Sequence, residues 1–450
     1  MTVSRRSFLQ KSAMGAASVT LGASGMGVLQ AATTKKLAWS DGMQINPEIN
    51  NTRIICCHDE NMVESDGAGA ASFTKKNGFV NADTVHNNMD QMAMQLAEKE
   101  DAASAWQTIF MKPSGKEWDA VKVAIKVNCI YSNMMPQVAI VGKVCEVLIE
   151  RGVSASNITI YDACHNAYGN GKYNTFIGNG IPDGVVVSDV TNQGEKVDVG
   201  SGQQTCAVVV LEADILVNCA INKGHGQDKG GFTLTMKNHT GTMKFSCPSV
   251  QEMIDQNKSE AILGSGSPPR QQLCIVDCLW SAKPGPFADQ THFTQRIVMG
   301  TLGPLVDVAV ARNIREPIMD ATHNDSAIET MVSGFGYAES DIEWVEFTPD
   351  PSVASNGFTG KKTGSRIEIT ARNGSQSIEI SLPPNAKSIQ VAITDLNGRT
   401  LKCLNVEPAK TGRIVWDGKD ERGRPAAAGR YAVLISAGTR KIARRMLSLY

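Results

Sequence analysis

Apolar and polar positions follow two different rhythms in the middle of the chain. The stretch 121–128, VKVAIKVN, has apolar residues at every second position, which is typical of a strand. The stretch 136–152, PQVAIVGKVCEVLIERG, repeats its apolar residues at helical spacing between Pro136 and Gly152. Further strands are predicted from short runs rich in β-branched residues, at 157–163, 184–190, 206–220 and 272–280.

Strands that alternate with helices predict an α/β domain over residues 33–347, with a mostly parallel sheet and flanking helices. The apolar content of 42% and the charged content of 20% are ordinary for a globular protein. Polar residues gather just after several predicted strands, where open parallel sheets bind their ligands. We therefore expect any functional site at those strand ends.

A stretch rich in Pro, Gly, Ser and Lys over residues 348–364 is interpreted as a linker, and the pattern of apolar and polar residues changes after it. Short alternating strands separated by turns then predict an all-β immunoglobulin-like sandwich over 365–450. The segments DLNGR and WDGKDERGRPAAAGRY closely resemble the FlgD-like immunoglobulin modules and related sorting domains of secreted bacterial proteins. The pattern is carried by Trp416, Asp417, Gly418, Gly423, Gly429 and Tyr431. Turns and one aromatic core contact explain these residues, so the module is expected to serve attachment, secretion or spacing.

The N-terminal stretch indicates export. Arg5 and Arg6 precede Phe8 and Leu9, and a weakly apolar run of small residues ends near Ala32. This pattern predicts a twin-arginine signal over residues 1–32, the twin-arginine translocase as a partner, and a periplasmic or extracellular location. A retained membrane anchor is the alternative, but glycines, serines and threonines dilute the run, and no stable span is expected.

Eleven cysteines do not have the spacing of a metal site. No C-x-x-C pair and no ferredoxin run is present, so an iron–sulfur cluster is not expected. Most cysteines lie in apolar runs and are interpreted as core residues. Cys274 with Cys278, or Cys56 with Cys57, remain alternatives for a disulfide or a metal. The net charge of −1 and the lack of a basic stripe argue against a nucleic-acid partner.

Two polar clusters follow the first two predicted strands of this region. Lys126 and Asn128 end the first strand, where a lysine is either paired, ligand-facing or extended to the sheet edge. Asp162, Cys164 and His165 follow the second strand. His165 is either a ligand or acid–base group, or a hydrogen-bonded loop histidine.

The strongest cluster is KGHGQDKGGFTLTMKNHTGTM, residues 223–243. Its glycines allow close approach of the backbone to a ligand, and its lysines and threonines suit phosphate or carboxylate. It has neither Walker-loop spacing nor the H-E-x-x-H spacing of zinc peptidases. A polar loop without a ligand is the alternative. The candidate residues are Lys223, His225, Gly230, Gly231, Lys237, Asn238, His239 and Gly241.

A fourth cluster places Asp277 and Asp307 in apolar runs, where each carboxyl group needs a hydrogen-bonding partner if it is buried. The turn Lys283–Pro286 follows the strand that carries Asp277 and is a candidate to close over a ligand.

The order of these four clusters resembles the bacterial family called domain of unknown function 362 (DUF362), over roughly residues 120–330. The resemblance is carried by Lys126, Asn128, Asp162, Asn222, Lys223, His225, Lys237, Asn238, Gly241, Asp277 and Asp307. Members often carry twin-arginine signals, and some carry ferredoxin-type modules whose cysteines this sequence lacks. The resemblance therefore implies export but names no reaction.

A weaker similarity of layout links the chain to lactate racemase, whose lysine holds a nickel-pincer nucleotide and whose histidines transfer hydride and protons. Here DACH, with His165, and KGHGQDKGGFTLTMK, with His225 and Lys237, follow the same order. The lysine lies farther beyond the glycine pair than in that family. The similarity implies a metal ion or a nucleotide cofactor.

Together these patterns favour an exported enzyme with redox or isomerase-type chemistry and a metal or anionic cofactor. His225, Lys237 and His165 are the expected catalytic residues. His225, His239 and His165 are the expected metal ligands. The cofactor is expected at Lys126, Asn128, Lys223, Gly230, Gly231, Asn238 and Gly241. The alternatives are a non-catalytic protein that binds a small anionic ligand, and a redox partner that uses cysteines.

Overall fold

The structure is a computed structural model of the chain. It describes residues 46–66, 72–163, 180–191, 193–243, 248–264 and 268–350 of the larger domain. In the C-terminal part it describes residues 367–372, 375–380, 389–395, 399–406, 413–416, 418–427, 429–437 and 440–449. The predicted signal peptide and His165 lie outside these ranges, as does most of the predicted linker.

Strands of the larger domain form one nine-stranded mixed sheet and one separate hairpin. The hairpin consists of the fifth and sixth strands. In chain order the strands are β1 Arg53–His58, β2 Val123–Lys126, β3 Ile158–Asp162, β4 Val186–Asp189, β5 Glu195–Asp198, β6 Gln203–Cys206, β7 Ile215–Gly224, β8 Phe232–Thr233, β9 Gln271–Ala282, β10 His292–Gly300 and β11 Glu343–Phe347.

Helices cover both faces of this sheet. They are α1 Phe73–Phe79, α2 Ala82–Ala97, α3 Ala102–Ile109, α4 Val138–Glu150, α5 Val208–Leu211, α6 Thr235–Asn238, α7 Thr240–Met243, α8 Val250–Lys258, α9 Glu260–Leu263, α10 Gly303–Val310, α11 Glu316–Met319 and α12 Asp325–Ser333. A π-helical turn, Ala311–Arg315, joins α10 to α11. We call α10 and this turn together the α10–π helix.

The strand order is β11-β1-β10-β9-β7-β2-β3-β4, and β8 adds to the end of β7. The central run β9-β7-β2-β3-β4 is parallel, as is the β1–β11 pair. β10 is antiparallel to both of its neighbours, β1 and β9. The sheet is therefore mostly parallel, as the alternation of strands and helices predicts.

The order of strands changes direction between β2 and β7. From β2 the chain passes through α4 to β3, and from β7 it passes through α6–α9 to β9 on the other side. Val141 and Leu148 of α4 pack in the core on one face of the sheet. Met236 of α6 and Ile254 of α8 pack in the core on the opposite face. Helices that leave adjacent strands to opposite faces open a crevice at the carboxyl ends of those strands.

Most predicted elements form where their patterns place them. α4 ends before Gly152, whose φ of +105° allows the chain to turn into the next strand. The run 206–220 is the exception, because β6 ends at Cys206, Val208–Leu211 forms a helical turn, and β7 begins at Ile215. The prediction of continuous strand was wrong there, since a short apolar run does not distinguish a strand from a buried helical turn.

The C-terminal strands form two antiparallel sheets, ordered β12-β13-β16 and β15-β14-β17-β18. Trp416 and Tyr431 make an edge-to-face contact at 5.5 Å between ring centroids, which is the predicted aromatic core contact. The strands are β12 Ile367–Arg372, β13 Ser375–Ile380, β14 Ile389–Thr394, β15 Thr400–Val406, β16 Arg413–Trp416, β17 Gly429–Ala437 and β18 Arg440–Leu449.

Candidate functional site

Several predicted site residues lie at one edge of the sheet, where β2, β3 and β7 end. Lys126 is the last residue of β2, Asp162 is the last residue of β3, and Lys223 lies one residue before the end of β7. All three side chains are buried. Because these strands are parallel and adjacent, their carboxyl ends bring the three charges together beside the crevice.

Lys126 is held by three acceptors. Its Nζ donates to Asp162 Oδ1 at 2.7 Å, to Asn238 Oδ1 at 3.0 Å and to the carbonyl of Val127 at 2.6 Å. Asp162 also accepts hydrogen bonds from the backbone N–H groups of Cys129 and Ala163. An ammonium group has three hydrogens to donate, so these contacts satisfy it. Lys126 is therefore a paired structural cation in this state.

Gly241 completes this pair by leaving room for it. A Cβ atom at position 241 would lie 2.2 Å from Asp162 Oδ1 and 3.0 Å from Lys126 Nζ. Any larger side chain would push directly on the buried ion pair. The predicted contribution of Gly241 to the site is thus explained by packing against Lys126 and Asp162.

Asparagine side chains connect this ion pair to Lys223. Asn238 Oδ1 accepts from Lys126 and also from Asn128 Nδ2, at 3.3 Å. Asn128 Oδ1 in turn accepts from Lys223 Nζ at 2.7 Å. Asn238 Nδ2 donates to Asn218 Oδ1 of β7 at 2.8 Å, which fixes α6 against the sheet. The predicted residues Lys126, Asn128, Lys223 and Asn238 therefore form one buried hydrogen-bonded network.

His239 is buried within a chain of hydrogen bonds. Its Nε2 lies 2.7 Å from Gln271 Oε1 and 3.0 Å from Asn218 Nδ2. Its Nδ1 lies 3.1 Å from Thr242 Oγ1, and the Thr242 hydroxyl lies 2.7 Å from the Tyr161 hydroxyl. Burial lowers the pKa of His239 to about 3, with the Lys126 charge acting in the same direction. These partners account for the ring as a neutral structural group.

His225 has a different environment, because it is only partly buried and follows the end of β7. Its Nδ1 accepts from the backbone N–H of Gly226 at 2.8 Å, which places the hydrogen of the neutral ring on Nε2. Burial, together with the charges of Lys237, Lys229 and Lys223, lowers the pKa of His225 to about 4. The Asp228 carboxylate acts in the opposite direction.

The segment after His225 is a closed turn. Gly226 O accepts from Gly231 N, and Gly231 O accepts from His225 N, both at 3.1 Å. Gly230 and Gly231 have φ values of +86° and +91°, and a Cβ at Gly231 would lie 2.9 Å from His323 Nδ1. The N–H of Gly230 donates to Gln227 O. These two glycines therefore shape the turn, whereas the predicted anion cradle of N–H groups is not formed by them.

Lys237 lies on α6, the short helix that follows the turn after His225 and strand β8. It is partly buried, and its Nζ donates to Thr240 Oγ1 at 3.1 Å. Its charge is the largest electrostatic influence on His225 after burial. The structure thus brings Lys223, His225 and Lys237 into one electrostatic environment at the carboxyl end of β7.

The two predicted aspartates have structural partners. Asp307 of α10 accepts from Thr235 N, Thr235 Oγ1 and Met236 N at 2.6–2.9 Å, which holds the start of α6. Asp277 of β9 accepts from Gln137 N and Leu279 N. Burial raises the pKa of Asp307 to about 7 and that of Asp277 to about 6, while the donated hydrogen bonds oppose the rise.

Sequence reasoning missed Arg315, which is fully buried at the same edge. Its Nη1 donates to Asn222 Oδ1 at 2.7 Å and to Ala282 O at 3.2 Å, and its Nη2 donates to Lys283 O at 3.0 Å. Its local sequence, ARNIREP, is typical of an exposed polar helix end, so the sequence pattern does not indicate that Arg315 is buried. The predicted Lys283–Pro286 turn packs here against Gly224, whose N–H donates to Pro284 O.

Among the residues that the structure describes, no group of three or more His, Cys, Asp or Glu side chains is arranged to hold a metal ion. His239 has its ring nitrogens in the hydrogen bonds given above, and His165 lies outside the described ranges. The metal set of His165, His225 and His239 stays a prediction. A surface cleft of about 420 Å³ at Glu146 and Pro182 lies at the opposite edge, where β3 and β4 begin.

The four cysteines considered for a disulfide or a metal, Cys56, Cys57, Cys274 and Cys278, are free thiols and buried. Burial raises the pKa of each of them, which keeps the thiols protonated and inert. Of the described cysteines, Cys403 is the exposed one. The interpretation of most cysteines as core residues is confirmed.

Residues 123–312 match the family described as Domain of unknown function (DUF362), and residues 364–441 match the FlgD Ig-like domain. Both matches agree with the resemblances carried by the sequence motifs. Comparison with curated proteins finds no match. The similarity to lactate racemase is not shown by these comparisons and stays a prediction.

Three solved structures share segments with the chain at low similarity. Dimeric latent PorU from Porphyromonas gingivalis is 18% identical over 19% of this chain and 9% of its own, with a TM-score of 0.16. A β-glucuronidase of glycoside hydrolase family 2 is 12% identical over 20% of this chain and 11% of its own, with a TM-score of 0.13. A structure titled "Structure of Protease" is 14% identical over 52% of this chain and 54% of its own, with a TM-score of 0.14. Likenesses this weak carry no argument about function.

Proposed function

We propose that this chain, which joins a DUF362 region to a FlgD Ig-like domain, binds a small anionic ligand in the crevice between the ends of β2 and β7. The observation that carries the proposal is the set of lysine charges around His225. Lys237, Lys229 and Lys223 all lower the pKa of its ring, while Asp228, which is ion-paired with Lys229 at 2.9 Å, raises it. A local excess of positive charge at a topological switch point favours phosphate or carboxylate groups.

His225 suits this ligand as a neutral hydrogen-bond donor. With a pKa near 4 its ring is uncharged at neutral pH, and its hydrogen lies on Nε2 because Nδ1 accepts from Gly226. A neutral Nε2–H donates to an anionic oxygen without adding charge. Lys237 and Lys223 supply the charge, so the three side chains divide the recognition of an anion between them.

The leading form of this proposal is an enzyme of redox or isomerase type that uses an anionic cofactor or a metal ion. In it, Lys237 binds or anchors the cofactor and His225 donates a hydrogen bond to the reacting oxygen. His165 remains a proposed third catalytic residue.

The second candidate is a binding protein without catalysis. It is favoured by the low pKa of His225, because a general base works best when its pKa lies near the operating pH. In this form the same side chains hold an anionic ligand, and the C-terminal module serves attachment or spacing.

Protein purified from its native host tests the proposal. We expect a stoichiometric phosphorus- or carboxylate-containing species, or a metal ion, to be released on denaturation and identified by mass spectrometry and elemental analysis. Lys237→Ala protein should release less than a tenth of the wild-type amount. A wild-type protein that folds normally and releases nothing would contradict the cofactor form. Binding retained by His225→Ala together with lost turnover would favour the enzyme over the binding protein.

We also propose export by the twin-arginine pathway. The support is the pair Arg5 and Arg6 before an apolar run, together with the FlgD Ig-like domain. The described residues contain no helix long and apolar enough to cross a membrane. Replacement of both arginines by lysine should leave the protein in the cytoplasm of its host, whereas normal export of that variant would contradict this route.

A further inference from the structure

The α10–π helix carries two buried charges of opposite sign that contact both halves of the proposed site. Asp307 accepts three hydrogen bonds from Thr235 and Met236, at the start of the helix that carries Lys237. Arg315 donates to Asn222, two residues before the end of the strand that leads to His225. One helix thus contacts the two segments that supply the cationic side chains.

The π turn brings these two charges to the same side of the helix. Asp307 and Arg315 are eight residues apart, and eight residues of a regular α-helix advance about 800°, roughly 80° beyond two full turns. A π turn widens the helix by about one residue, as the hydrogen bond from Glu316 N to Ala311 O indicates. With this extra residue, Asp307 and Arg315 are separated as seven residues of a regular α-helix would be, which is close to two full turns. Asp307 consequently contacts the start of α6, and Arg315 contacts β7.

Arg315 also fixes the turn that packs against the end of β7. Its guanidinium donates to the carbonyls of Ala282 and Lys283. The next residue, Pro284, accepts from Gly224 N at 3.0 Å, and a Cβ at Gly224 would lie 2.2 Å from Lys283 O. The backbone that carries Lys223 and His225 is therefore held against a turn whose position depends on Arg315.

No carboxylate forms an ion pair with Arg315 within the described residues, where its acceptors are the side-chain amide of Asn222 and two backbone carbonyls. Its Nε is buried without a hydrogen-bond partner there. A buried, uncompensated cation costs free energy, which a hydrophobic residue of similar size would avoid. Stability alone does not explain an arginine at this position, whereas a planar fork that joins three acceptors from two segments does.

We propose that Arg315 is a positioning residue, and that the α10–π helix sets the spacing between the β7 end with Lys223 and His225 and the α6 helix with Lys237. The ligand-binding part of this inference rests on the proposed function, whereas the positioning part does not. Arg315 acts through Asn222 and the 282–284 backbone and does not itself contact the ligand.

The test compares Arg315→Met with Arg315→Lys and with a matched control, Arg312→Met. Arg312 lies on the same π turn, but its partners are Glu316, Asp325 and Glu339 at the surface. Hydrogen exchange is followed by mass spectrometry in the full chain, and affinity for inorganic phosphate and for malonate is measured by calorimetry.

For Arg315→Met we expect exchange at residues 222–226 and 282–285 to accelerate at least tenfold, with β2 and β3 unchanged. Affinity for whichever anion binds the wild type should fall about tenfold. Arg315→Lys should restore part of the exchange protection and part of the affinity, because it keeps the positive charge but not the planar guanidinium. Arg312→Met should match the wild type in both measurements.

Wild-type exchange in Arg315→Met, or faster exchange spread evenly over the domain, would overturn the positioning role. Failure of the wild type to bind either anion would instead count against the proposed function. The exchange measurement would still decide the role of Arg315 in that case, so the two failures are distinguishable.

Discussion

Buried charges at the strand ends are held by specific partners, and the ion pair of Lys126 and Asp162 is the clearest case. The two side chains are almost fully buried and lie 2.7 Å apart. Lys126→Met should lower the free energy of unfolding by about 3–5 kcal/mol, because it leaves the Asp162 carboxylate buried without its cation. Chemical denaturation measures this loss. The double variant Lys126→Met/Asp162→Leu should recover much of it, and equal losses in both variants would contradict a paired structural role.

A second residue-scale prediction concerns Gly241. Gly241→Ala places a Cβ 2.2 Å from Asp162 Oδ1 and should destabilise the fold by about 2 kcal/mol or more. Gly78→Ala is the matched control, because it lies in α1 and its Cβ meets nothing within 4 Å. The control should stabilise the protein by about 0.5–1 kcal/mol. Thermal melting of both variants decides the question, and equal melting temperatures would show that position 241 tolerates a side chain.

Asp307 makes the stability of the protein depend on pH. Its folded pKa of about 7 exceeds its ordinary value of 3.8, so the folded state holds the proton more tightly than the unfolded state. The resulting stability is complete below about pH 4 and is lost as the pH rises through 7, by at most about 4 kcal/mol. Relative to Asp307→Asn, the wild type should therefore lose stability between pH 4 and pH 8. Urea unfolding at each pH measures the free energy of unfolding of both proteins. The same change with pH in the wild type and in Asp307→Asn would contradict this prediction.

At the scale of single elements, the hydrophobic pattern determined what could be predicted. β2 and α4 were predictable because their apolar residues follow one period over the element. β3 and β9 were predictable from short runs rich in apolar and β-branched residues. Residues 206–212 were not, because an apolar run of this length fits a strand and a helical turn equally well. There the chain forms β6 to Cys206 and then the helical turn Val208–Leu211 before β7 begins.

Within the site, the sequence predicted which residues lie at the strand ends but not which residues hydrogen-bond to them. The positions of Lys126, Asp162 and Lys223 followed from the rule that parallel strands end at one edge. Their asparagine partners in β7 and α6, and the contact of Arg315 with Asn222, depend on how helices pack against the sheet. Sequence period does not encode that packing. In particular, the π turn changes the side on which Arg315 lies by about one residue's rotation, which a regular helical pattern cannot predict.

At the scale of the whole molecule, the thiols distinguish a cofactor-binding or ligand-binding protein from a redox partner that uses cysteines. Eight of the described cysteines are buried, and Cys403 is exposed. Of the nine cysteines that the structure describes, only Cys403 should therefore react with Ellman's reagent in the native protein. All eleven should react in denaturant after reduction. Rapid native reaction of Cys274 or Cys278, located by mass spectrometry, would revive the redox alternative.

The two recognised regions divide the molecule into a larger domain with buried charges at its strand ends and a β-sheet module with turn glycines. The DUF362 region spans the strands β2 to β10 and the helix α10, and so includes all the residues of the proposed site. The FlgD Ig-like domain contributes turns and the Trp416–Tyr431 contact. The proposed anion site therefore lies within the larger domain.

The most direct test of this account is a calorimetric titration of the wild-type protein with inorganic phosphate and with malonate at low ionic strength. At least one anion should bind with a dissociation constant in the low millimolar range or tighter. Lys237→Ala should weaken that binding at least tenfold. Lys122→Ala should leave it unchanged, because Lys122 lies at the opposite edge of the sheet, just before β2, where it pairs with Glu212. Absence of binding by both anions, or equal binding in all three proteins, would contradict the proposed site.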